Sequence, residues 1–539
     1  MRLQRVTITN HSRVADMDFE VHEHLVLIGP NESGKSSILR TLSALLSGSQ
    51  AALYSYFTPD LVADAASPLV VEVVLTDIVD EDGTWFPHEI TVLEDKKTRQ
   101  LRVRLEVVVD PGDPTSVNVS RTFPESGHTR GANQQQISAL RWRFLPAQRG
   151  GAAFSADAAL RALLNEMTIG EETMETFKSP LRQFNDALNS AAEMKALRSG
   201  IATHMSSAMP RVLSGDGVSV RAAADPDQDP LADVSLFLEG NQGPQSTVNQ
   251  SDGVRQVVAM SLHDLASKGA SMLAIDEPEV HLHPSSQRTV ANMFRVSGNQ
   301  KIVATHSPYI VHAFDPQHVV AVTRQGCTTM KSPKRLNDAE KLKAHWWSPY
   351  LLEALTAQHV IFVEGVADRI LVEATARALG VDLQRRGVLV FDLRGADNFP
   401  HVYDLLGPSG FNLQWSGLVD KDHEAQWLGK VGGKPALILN KLIWVSDKDL
   451  EEEYCKALGP TFTANALESA GLTRSSGLLQ AGGVSRLEEL STDVLVNKCR
   501  SDKVGCAVAI GEALGPEQAK DIVSVFGLLA KWRVADEDV

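Results

Sequence analysis

Residues 25 to 37 read LVLIGPNESGKSS: an apolar run leads into a Gly-x-x-x-x-Gly-Lys-Ser loop and then into the helical pattern ILRTLSALL. Phosphate binding asks for this order, because Gly29 and Gly34 let backbone N–H groups curl around phosphate oxygens while the helix N-terminus adds partial positive charge. Asn31 lies within the loop, Lys35 is placed to reach the β- and γ-phosphates of ATP, and Ser36, followed by Ser37, is placed to ligate its Mg²⁺. A chance glycine turn holding Lys-Ser would not explain both the strand before it and the helix after it. At MLAIDEPE a second apolar strand delivers Asp276 to the metal and Glu277 to a position suited to polarise an attacking water. Such a pair could merely cap a helix; the loop upstream favours the nucleotide role. KIVATHSPYI sets His306 after another apolar strand, where an imidazole could hold the γ-phosphate, although a lone histidine is more often structural.

A second group of acids ends strands further on. HVIFVEGVADRILVEAT puts Glu364 at a strand end and Asp368 in the first turn of the next helix. SGLVDKDHE ends another strand in Asp420-x-Asp422, and alternation along an extended chain would point both carboxylates to one side. Carboxylates at the carboxyl ends of neighbouring parallel strands offer hard oxygen ligands to Mg²⁺ or Mn²⁺. Such ions activate a water and stabilise the leaving oxygen of a phosphodiester. Taken alone, the Asp-x-Asp could equally be a solvated strand end or a helix cap. A different metal cluster, His281-x-His283 with His306, lacks a carboxylate or cysteine at ligand spacing and is set aside as a zinc site.

The elements that must position these groups follow from hydrophobic patterning. A chain of 539 residues is too long for one core and predicts two to four domains. Residues 1 to 154 read as short strands with one helix after Gly34, half of a mixed sheet; about 155 to 212 turns helical, with Leu160, Leu163, Leu164 and Met167 on one apolar face. From 213 to 350 a turn-rich stretch gives way to strands alternating with helices, and 356 to 539 repeats that alternation as a separate α/β domain. The opening MRLQRVTITNHSRV alternates like a strand and not like a secretion signal; no stretch approaches a membrane span, and the expected location is the cytoplasm. Four cysteines without CxxC pairing, Cys327, Cys455, Cys499 and Cys506, are expected as free packing residues. A formal charge of −15 would repel a polyanion, so nucleic-acid binding would need bound metal or local basic patches. Candidates are Lys96, Lys97, Arg99, Arg102 and Arg104, then Lys331, Lys334 and Arg335, then Arg385 and Arg386; each is more often a solvated face.

Four segments, GPNESGKSS, SDGVRQ, DEPEVHLHP and ATHSP, occur in the order and spacing of the RecF/SMC/OLD type of ABC ATPase. The run QSDGVRQVVAM resembles that family's signature motif, with Ser251 and Gly253 opening a helix that faces the nucleotide of a partner subunit; the resemblance also suggests Gln148 as the glutamine-loop residue. Downstream, VEG followed by DxD resembles the Toprim domain shared by topoisomerases, bacterial primases and OLD (overcoming lysogenisation defect) nucleases. Glu451 or Glu452 in SDKDLEEEY would complete a second metal site there, and Lys503 in CRSDKVGCA would neutralise phosphate charge in the transition state. Either could equally lie on a helix surface. The combined resemblance implies an α/β protein: an ABC-type ATPase with a mixed sheet and a helical dimerisation insertion, then a Rossmann-like parallel Toprim sheet. It also implies a homodimer that binds and hydrolyses ATP and cuts DNA with Mg²⁺, Mn²⁺ or Ca²⁺, in phage defence or DNA metabolism, with a helicase encoded nearby as a further partner. An RNA-cutting effector and a DNA-repair clamp with an inert Toprim domain remain as alternatives.

Overall fold

Alternating burial along RLQRVTIT and LVVEVVLT marks strands with one face in a core, and the computed structural model pairs them antiparallel. It describes residues 1–93, 98–126, 131–147, 157, 160–161, 163–164, 170–197, 199, 231, 234–240, 243–266, 271–296, 298–323, 326–329 and 348–533. Gln148, Met167, Lys96, Lys97, Lys331, Lys334 and Arg335 lie outside these residues, as do the expected boundaries near 154 and 212.

The chain divides into two units, Met1–Leu140 with Gln300–Val539, and Arg141–Asn299. In the first unit, β1 (Arg2–Thr9), β2 (Met17–Glu20), β4 (Leu69–Thr76), β5 (Ile90–Val92) and β6 (Arg99–Asp110) form an antiparallel sheet in the order β2-β1-β4-β6-β5, with β7 (Asp113–Thr122) also on β6. The strand β3 (Leu25–Ile28), buried at every position, does not join that sheet. It runs parallel between β12 (Gln300–Thr305) and β13 (Val319–Thr323), and β14 (Gly326–Thr329) adds an antiparallel edge. The early strands therefore divide between two layers instead of making half of one. Between the layers, α1 (Lys35–Ser47) packs on β4, β6 and β12. Gln300 stitches the layers together: its buried amide accepts from Leu3 N–H at 2.7 Å and donates to the carbonyls of Leu3 at 2.9 Å and His22 at 3.1 Å.

In the second unit, β8 (Trp142–Leu145) pairs parallel with β11 (Met272–Asp276), and β9 (Phe237–Gly240) pairs with β10 (Gly243–Ser246) as a hairpin. Its described helices include α2 (Glu171–Ser190), α3 (Asp252–Ala266) and α4 (Pro284–Val296).

The C-terminal part of the first unit is a four-stranded parallel sheet in the order β16-β15-β17-β18, made by β15 (His359–Val363), β16 (Val388–Asp392), β17 (Trp415–Val419) and β18 (Ile443–Val445). Near-continuous burial of HVIFV and WSGLV is what a parallel sheet covered on both faces requires. On one face Trp427 lies so close to β17 that a Cβ on Gly417 would come within 2.6 Å of its ring; the indole stacks on Phe399 at 3.8 Å. On the other, α5 (Val366–Ala378) packs against α8 (Lys503–Ala513), and Gly511 admits Ala374 closely enough that a Cβ would sit 2.7 Å away. The kinked α6 (Leu450–Ser469), α7 (Thr492–Ser501) and α9 (Val523–Arg533) complete this core, which takes in Cys455, Cys499 and Cys506. No described helix is long and apolar enough to cross a membrane.

One buried cation holds the end of α1. Arg121 of β7 donates to the carbonyls of Leu45 at 3.0 Å and Gly48 at 2.8 Å, covering acceptors the helix leaves open, and burial pulls its guanidinium down to about 10. Arg121→Ala is expected to cost about 2 kcal/mol in urea unfolding, because the stranded carbonyl of Leu45 stays buried. An unchanged midpoint would mean that water reaches the helix end.

Candidate active site

The glycine-rich loop before α1 is built by conformation as much as by composition. Gly34 has φ 96 at the start of α1, and a Cβ there would meet the Arg13 carbonyl at 2.8 Å. At Gly29 a Cβ would stand 2.1 Å from the Val322 carbonyl oxygen, so β13 itself excludes any other residue. Lys35 is buried, its ammonium donating to the carbonyls of Gly29 at 2.9 Å and Pro30 at 2.7 Å and lying 3.4 Å from Ser33 Oγ. Ser36 and Ser37 follow in the first turn, half-buried, while Asn31 is exposed on the loop. His306, after β12, hydrogen-bonds the backbone of Gly29; burial, and then the Lys35 ammonium, push it down to about 4. A neutral imidazole therefore sits beside the loop at pH 7.

In the second unit, Asp276 is fully buried as the last residue of β11, and Glu277 follows with φ 47. Ser251 heads α3, its carbonyl accepting from Arg255 N–H at 2.9 Å. Next to it, a Cβ on Gly253 would reach the His281 carbonyl at 3.5 Å. His283 is engaged at the head of α4, with Nδ1 3.0 Å from Ser285 Oγ.

At the carboxyl edge of the β15–β18 sheet the acids come together. Glu364, one residue past β15, accepts the Asp420 backbone N–H at 2.8 Å and lies 3.1 Å from His423 Nδ1 through the same oxygen. Asp368 accepts Gly365 N–H at 2.8 Å, which both starts α5 and turns the carboxylate back toward the strand end. Asp420 accepts from Ser446 Oγ, just past β18, at 2.9 Å. Loss of hydration, then the Glu364 charge, lifts Asp420 to about 7. Loss of hydration, then Asp420, Glu451 and Glu364, lifts Asp368 to about 8. Both aspartates thus feel neighbouring acids.

The two glutamates left open by sequence have different surroundings. Glu451 is buried and bound to Lys503 Nζ at 2.9 Å; Glu452 turns to Arg500 at 2.9 Å and Lys456 at 2.9 Å. Burial alone would lower the Lys503 ammonium, but its pairing with Glu451 holds it above the ordinary lysine value. The extended-chain argument for Asp422 fails: the chain turns into a one-turn 3₁₀ helix, Lys421–His423, straight after Asp420, and leaves Asp422 exposed. The hydrogen-bonded Asp420 N–H and the tight turn it begins replace the expected alternation.

Ser446, His423 and Asp449, which caps α6 through Glu452 N–H at 2.9 Å and pairs with Arg500 at 2.6 Å, were missed in the sequence. Ser446 alone had a signal, as the polar residue closing LIWV in the pattern of the other strand ends.

Among the described residues, no three histidine, cysteine or carboxylate side chains already stand in ligand geometry. Part of the reason is visible, since the Glu364 oxygen is taken by Asp420 N–H and His423. The donor chemistry nevertheless fits a hard divalent cation: four oxygen ligands crowd one strand edge, and their mutual repulsion is what such an ion would relieve.

Three family models match the chain: "AAA domain" over residues 1–60, "AAA domain, putative AbiEii toxin, Type IV TA system" over 109–312, and "Overcoming lysogenization defect protein-like, TOPRIM domain" over 355–422. The Old nuclease of Escherichia phage P2 is 23% identical over 421 residues, which is 68% of this chain and 68% of that protein. Among solved structures, the C-terminal region of the Burkholderia pseudomallei OLD protein is 24% identical, covering 33% of this chain and 98% of its own, with TM-score 0.28. The Smc head domain with an extended coiled coil bound to the C-terminal domain of ScpA, derived from Pyrococcus furiosus, is 14% identical over 63% of this chain and 98% of its own, with TM-score 0.35.

The depressed value of His306 has a consequence for acid stability. Because the fold lowers it below the ordinary histidine value of 6.5, its contribution is whole above about pH 6.5 and is lost as pH falls toward about 4. Urea midpoints taken at about pH 7 and about pH 5 should therefore converge in His306→Gln relative to the parent chain. An equal fall in both proteins would show that His306 carries no such linkage.

Proposed function

We propose that this chain, a member of the OLD family with an N-terminal ATPase domain and a C-terminal Toprim domain, is an ATP-binding DNA endonuclease that uses divalent metal ions. The observation that carries the reading is the meeting of Glu364, Asp368, Asp420 and Glu451 at one edge of a parallel sheet, with Asp420 N–H on the Glu364 carboxylate at 2.8 Å. These four would hold the ions, with Asp422 a further ligand approached from the exposed turn. Divalent ions in such a place supply an activated water and a counter-charge for the leaving oxygen. The chain's own part is to bind and orient. Lys503 sets an ammonium beside Glu451 where it offsets charge gathering on the phosphate, and Ser446 fixes the Asp420 rotamer.

The ATP reading rests on the loop at Gly29 to Ser36. There Lys35 would exchange its two backbone carbonyls for phosphate oxygens, and neutral His306 would meet the terminal phosphate. Asp276, Glu277, Ser251 and Gly253 keep the roles that their motifs imply. A homodimer belongs to the same proposal: along α2, Met174, Phe177, Leu181 and Phe184 repeat at alternating spacings of three and four, and Phe177 and Phe184 are 40% and 55% exposed. Phage defence, cytoplasmic location and a helicase partner extend the reading on family resemblance alone.

Supercoiled plasmid, linear DNA and tRNA assayed side by side with Mg²⁺ or Mn²⁺ test the proposal. Asp420→Ala should abolish cutting while ATP still binds. Lys35→Ala should weaken ATP binding by about tenfold to a hundredfold, the worth of a charge-assisted hydrogen bond. Cutting that persists in Asp420→Ala would refute the site; cleavage of tRNA alone would move the substrate to RNA, and DNA binding without any cleavage would leave a clamp.

A further inference from the structure

Beside the carboxylate edge stands a cation that the proposed chemistry has not used. Arg394 is exposed two residues past β16, with φ 54, a backbone region that a long side chain rarely adopts. Its loop is bonded directly to the segment bearing Glu364: Leu393 N–H donates to the Val363 carbonyl at 2.9 Å and Gly395 N–H to the Glu364 carbonyl at 2.8 Å. Two arginines stand at this strand end, and their partners differ. Arg369 is engaged by the buried Asp392 carboxylate at 3.1 Å, which also accepts the Tyr350 hydroxyl at 2.6 Å. Arg394 has no acidic partner among the described residues; its guanidinium lies 5.0 Å from the centre of the Tyr350 ring. Since Asp392 pins that ring, the guanidinium rests on a fixed platform with its N–H edges open.

Across the sheet the strand ends read Arg394, Glu364, Asp420 and Ser446, with Glu451 and Lys503 beyond. Neighbouring strands are about 4.8 Å apart, so a cation flanks the acids on either side. We propose that Arg394 is a positioning residue that grips a neighbouring phosphate of the strand being cut, laying a polynucleotide across the carboxyl edge from β16 toward β18. This deepens the nuclease reading and rests on it for the word "cut". A lone phosphodiester at the carboxylates would have no use for Arg394, whereas a chain of phosphates would.

The test compares Arg394→Ala, Arg394→Gly and Arg394→Lys with the parent chain. Glycine accepts the left-handed backbone freely, so a shared effect of Ala and Gly at native Tm reports the guanidinium and not the turn. In an Asp420→Ala background, binding of a labelled oligonucleotide should weaken about tenfold in both, and the slope of log affinity against log salt should fall by about one. Arg394→Lys should recover most of the loss. In the cleaving chain, kcat/KM on DNA should fall through KM, and by more than on bis(p-nitrophenyl) phosphate, which offers a single phosphate. Unchanged affinity and salt slope in Arg394→Gly would overturn the assignment. If the parent chain cuts no nucleic acid while Arg394→Gly still loses affinity, the nuclease reading falls and the phosphate grip stands.

Discussion

Like charges must be held together at the carboxyl edge of the β15–β18 sheet, and much of the C-terminal architecture serves that constraint. Each acid is steadied by a donor from a different element: Glu364 by the Asp420 N–H, Asp368 by the Gly365 N–H, Asp420 by Ser446 and Glu451 by Lys503. None of these donors offsets the loss of hydration and the repulsion that follows it, as the raised values of Asp368 and Asp420 record. The fold therefore stores an electrostatic cost that is recovered when positive charge arrives, and packing elsewhere has to offset it. Close approach of α5 to α8 at Gly511, and of Trp427 to β17 at Gly417, contributes to that packing.

The glycine-rich loop before α1 solves the opposite problem by similar means. A buried lysine is expensive unless its donors are met, and Lys35 meets them with the carbonyls of Gly29 and Pro30. Burial, and then the same ammonium, keep His306 neutral, so the loop gathers one firm positive charge instead of two that repel. Both sites stand at the carboxyl ends of parallel strands. There the backbone has finished its ladder, and side chains and N–H groups are free to turn toward a ligand.

Much of this was legible from the residue order. The strand–loop–helix at residues 25 to 47, the strand ends at Glu364 and Asp420, and the parallel C-terminal sheet follow from apolar runs bounded by glycine and acids. These are local patterns, set by backbone geometry within about ten residues, and a linear chain displays them.

Long-range placement was decided only in three dimensions. That β3 leaves the sheet of its sequence neighbours, that Glu451 and not Glu452 faces Asp368 and Asp420, and that Asp422 turns outward each depend on contacts between distant segments. So does the pinning of Tyr350 by Asp392, which gives Arg394 its platform. Sequence by itself determined which chemical groups this protein carries and on what kind of element each one sits. Only the tertiary structure decided which of them meet, because the energy of a buried charge or a hydrogen bond depends on neighbours that the residue order does not name.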